Sequence, residues 1–213
     1  MKNFFEFAIF FPMLMFAITV HEIGHGYVAY LFGDPTAKNA GRISLNPFRH
    51  IDPVGTILLP ILLFISHLPL IGFAKPVPIN FFNVKNKKLG LICISLAGPF
   101  ANFGLAVIVG ILIRFIPFKN FIEILTFFFF INFALGVFNL IPIPPLDGSK
   151  IIYAFLSNKN KLLMFKIEKY FIILILFSVL MFSNIFYNMI FKFFIPIANV
   201  AYILITGKSP ASF

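Results

Sequence analysis

Long apolar stretches separated by short polar connections make up most of the chain. Six are evident, at residues 4–32, 54–73, 89–113, 121–146, 170–191 and 193–205. A helix needs about 20 apolar residues to span a hydrocarbon core of about 30 Å. The first, third, fourth and fifth stretches meet that length without a prominent break, whereas prolines interrupt the second and the sixth is short. The pattern predicts an all-α integral membrane protein with about five to six transmembrane helices.

Composition supports the membrane class, because 60% of the 213 residues are hydrophobic and only 11% are charged. The first stretch is too long for the apolar part of a signal peptide, so we expect it to be retained. No loop approaches the size of a domain. We therefore predict one domain over residues 1–213, with a motif-bearing core at 4–156 and C-terminal helices at 170–205. The single cysteine, Cys93, excludes an intramolecular disulfide and a cysteine-rich zinc site.

The formal charge of +10 could indicate a nucleic-acid partner. Most of the 17 lysines and arginines, however, fall in the short connections between apolar stretches. That placement is typical of membrane orientation and of contact with anionic lipid. We expect the lipid bilayer as a partner and no nucleic acid, and the sequence does not define an oligomeric state.

The motif HEIGH, residues 21–25, places three ionisable side chains inside the first apolar stretch. Residues four apart share one face of a helix, so His21 and His25 can offer two imidazole nitrogens to one metal ion. Glu22 could then take a proton from a water molecule at that metal. HExxH on a helix is the signature of zinc metalloproteases. In a soluble helix, a polar surface stripe would explain these residues as well as a metal site does. Ionisable residues within a membrane segment instead favour a functional site.

A catalytic zinc site usually has three protein ligands, so a third is needed. The candidates are a small set of acids and histidines, at His50, His67, Asp34, Asp52, Glu123, Asp147 and Glu168. Asp147 stands out because it follows a proline-rich break in NLIPIPPLDG, where irregular backbone at membrane depth must be buried or line a cavity. The alternative is that Asp147 simply begins the next helix. From the residues alone both interpretations stay open.

Three separated motifs resemble the site-2 proteases, peptidase family M50. They are HEIGH, AGPFAN (residues 97–102) and NLIPIPPLDG (residues 139–148), and residues 41–55 and 72–80 resemble the small bacterial branch without PDZ or CBS domains. The resemblance covers residues 4–148. It implies one Zn²⁺ per chain held by His21, His25 and Asp147, with Glu22 as the general base. It also implies a catalytic or substrate-positioning role for Asn102, for which a hydrogen bond between helices is the alternative.

The family resemblance implies regulated intramembrane proteolysis, in which a peptide bond in or near a transmembrane segment is hydrolysed. The expected partner is a transmembrane protein or peptide substrate, and the sequence does not identify it. A metal or ion transporter is the main alternative, because intramembrane His and Asp residues and broken helices also occur there. Glu22 beside a ligand pair and the lack of an inverted repeat count against the transporter.

A shared zinc ion constrains the topology. If all four apolar stretches before Asp147 crossed the membrane, His25 and Asp147 would lie on opposite faces, so the second stretch should be re-entrant. With the sixth stretch also crossing, this arrangement collects 13 of the 17 lysines and arginines on one side. By the positive-inside rule that side is cytoplasmic, which predicts a multi-pass protein of the plasma or inner membrane with the zinc nearer the cytoplasm. Residues 41–47 alternate like a short strand, and the resemblance implies a membrane-associated β-hairpin there.

Overall fold

The structure, a computed structural model, describes residues 4–65, 74–157 and 194–210, and residues 160, 163, 164, 168, 170 and 192. Seven α-helices have both ends within the three continuous ranges: α1 (Phe4–Leu31), α2 (Thr36–Asn39), α3 (Leu59–Ile65), α4 (Lys87–Phe115), α5 (Lys119–Leu140), α6 (Asp147–Tyr153) and α7 (Ile195–Thr206). A 3₁₀-helix (Pro47–His50) and a π-helix (Pro53–Leu58) precede α3. The described part of the chain is mostly helical, as the apolar pattern predicts.

Among the described residues, three helices are long and apolar enough to cross a membrane. They cover Ala8–Leu31 (24 residues), Lys87–Phe115 (29 residues) and Lys119–Leu140 (22 residues), and correspond to the first, third and fourth apolar stretches. The fifth stretch lies outside the described residues apart from its first position. The sixth forms α7, which has 12 residues and is shorter than a span of about 20.

Helix α4 packs against both other long helices. Gly24 on α1 allows one close approach, because a Cβ there would lie 2.7 Å from the Ala97 carbonyl oxygen on α4. On the other side, Val109 and Ile113 of α4 form a buried cluster with Phe129 of α5 and Tyr202 of α7. The Thr126 and Tyr202 hydroxyls share a hydrogen bond of 2.8 Å within this cluster. α4 therefore packs against α1 on one side and against α5 and α7 on the other. These contacts fix which face of α4 lies against HEIGH.

The chain between α1 and α4 leaves the helical core and returns to it at the same end. The Lys85 N–H donates to the Phe32 carbonyl at 2.8 Å, so the start of α4 lies beside the end of α1. The Asp34 carboxylate strengthens this junction, because it accepts hydrogen bonds from the Asn80 N–H at 2.7 Å and the Asn83 amide at 3.0 Å. α1 and α5 therefore run in the same direction, and their C-terminal ends lie on one side.

The β-hairpin expected at residues 41–47 is not observed, and the described residues contain no strand. These residues form bends. Their backbone groups bond locally instead: the Arg42 N–H donates to the Ala37 carbonyl, and the Asn46 side chain accepts from the Phe48 N–H. Local turn and capping bonds of this kind compete with a strand ladder, which explains why alternation over seven residues was misleading.

The second apolar stretch forms short helices before residue 66 and is undescribed from 66 to 73. Its re-entrant character therefore stays a prediction.

Candidate metal centre and active site

Two histidines from α1 and one aspartate from α6 converge on a single point. His21 Nε2 lies 3.0 Å from His25 Nε2 and 2.9 Å from Asp147 Oδ2, and the third side of the triangle, from His25 Nε2 to Asp147 Oδ2, is 3.0 Å. All three side chains are buried. Helical spacing presents the histidines on one face of α1, and the proline-rich break after α5 turns Asp147 towards them.

Both imidazoles are held by an acceptor on their other nitrogen. His25 Nδ1 lies 2.6 Å from the Ile94 carbonyl oxygen, which can only accept, so this nitrogen carries the proton. His21 Nδ1 lies 2.6 Å from the Asn102 side-chain oxygen and donates to it. In the neutral imidazoles each Nε2 therefore presents a lone pair towards a carboxylate oxygen. Three converging acceptors of this kind can bind a cation between them.

The arrangement fits a tetrahedral zinc ion. Ligands at about 2.0–2.2 Å from such an ion would be about 3.3–3.6 Å apart, so the observed triangle would open by only a few tenths of an ångström. Gly98 on α4 leaves the space beside this triangle free. A Cβ at that position would lie 2.4 Å from His25 Nε2 and 2.6 Å from His21 Nε2. The described residues contain no other cluster of three such ligands within reach of one ion.

Lys150 fixes the orientation of the carboxylate. Its ammonium donates to Asp147 Oδ1 at 2.9 Å, which leaves Oδ2 facing the histidines. The positive charge of Lys150 favours the ionised form of the Asp147 carboxyl, which is the form that binds a metal.

Glu22 lies beside the ligand pair and is held by a segment from outside the helical core. Its Oε2 accepts a hydrogen bond of 2.7 Å from the Val77 N–H, in the extended segment 74–80. The side chain is only partly buried. A positioned, partly accessible carboxylate next to two imidazoles can exchange protons with a water molecule at the site.

Asn102 is fully buried on α4, and its whole amide is engaged. Besides accepting from His21, it donates to the Ala17 carbonyl at 3.0 Å and to the Asn132 side-chain oxygen at 2.9 Å. Asn132 on α5 in turn donates to the Phe128 carbonyl at 2.9 Å. This chain of bonds connects α5 to His21 through α4. The structure thus gives Asn102 a contact with a candidate ligand, and its predicted role in catalysis or substrate positioning stays a prediction.

None of the other described candidates joins the triangle of His21, His25 and Asp147. Asp34 ties loop segments together, Asp52 accepts from the Val54 and Gly55 N–H groups, and His50 contacts the Ser44 carbonyl oxygen at 3.1 Å. Glu123 is exposed on α5. Glu168 is half-buried, and burial raises its pKa. His67 lies outside the described residues.

Sequence reasoning missed four groups that hold the site. Two had a signal: Lys150 follows Asp147 by three positions, which places it on the same side of a helix, and Asn132 is a lone amide in a run of apolar residues. The Ile94 carbonyl and the Val77 N–H are backbone groups. No side-chain pattern could have indicated them.

Comparisons with known proteins agree with the family resemblance found in the sequence motifs. The family model described as peptidase family M50 matches residues 114–183. Two relatives carry the name "Putative zinc metalloprotease": YwhC of Bacillus subtilis, 41% identical over 65% of this chain and 65% of its own, and Rip2 of Mycolicibacterium smegmatis, 31% identical over 63% and 52%. "Zinc metalloprotease MJ0392" of Methanocaldococcus jannaschii is 31% identical over 75% of this chain and 38% of its own.

The matched regions therefore span less than two thirds of each of these relatives. No solved structure matches the chain.

Proposed function

Because the chain belongs to peptidase family M50, the site-2 protease family with a Zn²⁺ cofactor, we propose that it is an intramembrane zinc metalloprotease. It would hydrolyse a peptide bond in or near a transmembrane segment of a membrane-protein substrate. The observation that carries the proposal is the triangle of His21, His25 and Asp147 donor atoms, 2.9–3.0 Å apart and buried beside helices long enough to span a bilayer.

In this proposal His21, His25 and Asp147 hold the metal. Bound Zn²⁺ supplies Lewis-acid chemistry, which polarises a carbonyl and makes a neighbouring water more acidic. The Nδ1 bonds to Asn102 and Ile94 keep both imidazoles in the tautomer that presents Nε2 to the metal. Lys150 keeps Asp147 Oδ2 turned inward by bonding the other oxygen.

Glu22 acts as the general base. It takes a proton from the attacking water and passes that proton to the leaving amine, so its carboxylate is regenerated at the end of each cycle. The Val77 N–H bonds one of its oxygens and leaves the other available for this transfer. Since a membrane-spanning helix protects its carbonyls, the substrate must unwind near the site before hydrolysis.

The ligand set is tested by zinc content, which needs no knowledge of the substrate. We expect about one zinc per chain in detergent-purified wild type and loss of most of it in Asp147→Ala, because two imidazoles alone leave the site without its anionic ligand. Asp52→Ala is the matched control, since this carboxylate only caps the turn at residues 53–55. Equal zinc in both variants would overturn the assignment of Asp147.

The activity is tested separately with Glu22→Gln. In proteoliposomes containing labelled single-span substrates, we expect this variant to keep its zinc and to lose cleavage by about 10²–10⁴-fold, the usual contribution of a general base. Glu123→Gln, an exposed glutamate on α5, should cleave like wild type. Cleavage that survives Glu22→Gln in a zinc-loaded protein would contradict the assigned base, whereas metal flux across the vesicle without cleavage would favour a transporter.

A further inference from the structure

A basic cavity lies outside the metal centre. It has a volume of about 490 Å³ and is lined by Ala40, Arg42, Arg49, Lys75, Pro76 and Pro78. Half of these residues carry a positive charge, and none carries a negative one. The cavity is formed where the loop after α2 meets the extended segment 74–80.

Arg42 is a buried cation without an acidic partner. Its side chain is 8% exposed, and its Nη2 donates to the Lys75 carbonyl at 2.5 Å. Its Nε has no hydrogen-bond partner among the described residues, and no carboxylate in that part of the chain lies within ion-pair distance of it. Buried charges in proteins are normally paired, because an unpaired one loses its hydration without compensation.

The two other cations add to this positive excess. The Arg49 guanidinium donates to the Gly41 carbonyl, and the exposed Lys75 ammonium has no partner among the described residues. Burial lowers the pKa of neighbouring His50, the Ser44 carbonyl and the charge of Glu22 raise it, and the charges of Arg42 and Arg49 lower it. The lining of the cavity itself carries three positive charges and no negative one, which favours an anion.

The position of the cavity indicates which anion. It lies at the end of the core where α1 ends and α4 begins, the side on which the predicted topology places most of the basic residues. Leu45 and Phe48, four and one positions before Arg49 in the chain, are 61% and 78% exposed. Exposed apolar side chains beside basic ones are typical of protein at the boundary between headgroups and acyl chains.

We propose that this cavity binds the phosphate of an anionic phospholipid headgroup, with Arg42, Arg49 and Lys75 facing the phosphate and with Leu45 and Phe48 against the acyl chains. The site does not depend on the proteolytic function. The cavity is nevertheless connected to Glu22 through segment 74–80. Lys75 of this segment lines the cavity, and the Val77 N–H donates a hydrogen bond to the Glu22 carboxylate. A bound lipid would fix the segment that positions the general base.

The test measures lipid binding to the intact protein by native mass spectrometry, in non-ionic detergent with added dioleoyl phosphatidylglycerol or dioleoyl phosphatidylcholine. We expect preferential binding of phosphatidylglycerol, weakened about fivefold by Lys75→Gln and restored by Lys75→Arg, since one basic residue near a membrane surface contributes about that factor. Lys87→Gln is the matched control. It removes a lysine at the start of α4 that stacks over the Phe82 ring, outside the cavity.

Three results would overturn the proposal. Equal binding of the two lipids would remove the anion selectivity. Equal weakening by Lys75→Gln and Lys87→Gln would show a general surface-charge effect. Displacement of phosphatidylglycerol by excess inorganic phosphate, with the same dependence on Lys75, would identify a free-anion site in place of a lipid site. Because Lys75 is exposed, its replacement should leave folding and zinc content unchanged, so failure here is distinguishable from failure of the protease assignment.

Discussion

At the residue scale, we expect the groups that hydrogen-bond to His21, His25 and Asp147 to control how tightly these candidate ligands bind zinc. Lys150 binds the Asp147 oxygen that faces away from the histidines. We expect Lys150→Met to weaken zinc affinity by about 10–100-fold, the usual effect of losing a partner behind a metal ligand, measured by competition with a chelator. Lys150→Arg should retain most of the affinity. Equal affinity in wild type and Lys150→Met would mean that the ion pair does not position Asp147.

Asn132 acts on His21 through Asn102. Replacement by Leu removes the acceptor for the Asn102 amide and leaves that buried donor unpaired, which should cost about 1–3 kcal/mol of stability. Because Asn102 also holds His21, zinc should dissociate faster as well. Thr126→Val is the comparison, since it removes a buried hydrogen bond of α5 to Tyr202 remote from the metal ligands. It should lower thermal stability without changing zinc dissociation, and the same loss of zinc in both variants would contradict a positioning role for Asn132.

At the element scale, Asp34 joins the end of α1 to the segment that precedes α4. Its fully buried carboxylate accepts bonds from Thr36, Asn80 and Asn83. Burial alone raises its pKa, but these bonds outweigh burial and lower the pKa below the usual 3.8. A lowered folded-state pKa means that the ionised form stabilises the fold. This contribution is full above pH 3.8 and is lost as the pH falls through the folded-state pKa.

We therefore expect Asp34→Asn to lower thermal stability at neutral pH, with a difference from wild type that narrows as the pH falls below 3.8. The measurement is the unfolding temperature in detergent across a pH series. Asp52→Asn, whose carboxylate caps a single turn, should show a smaller difference. If the difference in unfolding temperature between Asp34→Asn and wild type stayed constant down to low pH, the charge of Asp34 would contribute nothing to stability.

The long helices were predictable from the sequence because their signal is local: α1, α4 and α5 follow from apolar length. Helical spacing likewise indicates that His21 and His25 share one face of α1. The hairpin at 41–47 was not predictable, because seven alternating residues say nothing about which backbone groups will be paired. The Val77 contact with Glu22 joins residues 55 positions apart and uses a backbone donor. Such contacts depend on how loops pack, which side-chain patterns do not encode.

At the scale of the whole molecule, the candidate metal site and the charge distribution together predict one membrane orientation. His21 and Asp147 meet only if the ends of α1 and α5 lie on one side, and the Lys85 bond to Phe32 brings the start of α4 to that side. Lys38 and Lys85 should then face the cytoplasm with most other basic residues, and Lys119, across the span of α4, should face outward. The zinc site would lie nearer the cytoplasm.

Cysteine labelling tests this orientation, because Cys93 is the only native cysteine and can be replaced. In a Cys93→Ala background, we expect a membrane-impermeant maleimide to label Lys119→Cys in intact cells. It should label Lys38→Cys and Lys85→Cys only after the inner face is exposed. Labelling of Lys38→Cys and Lys85→Cys from opposite sides would mean that residues 54–73 cross the bilayer. One membrane would then separate two positions that the Phe32–Lys85 bond and the Asp34 junction hold together, and the re-entrant topology would fail.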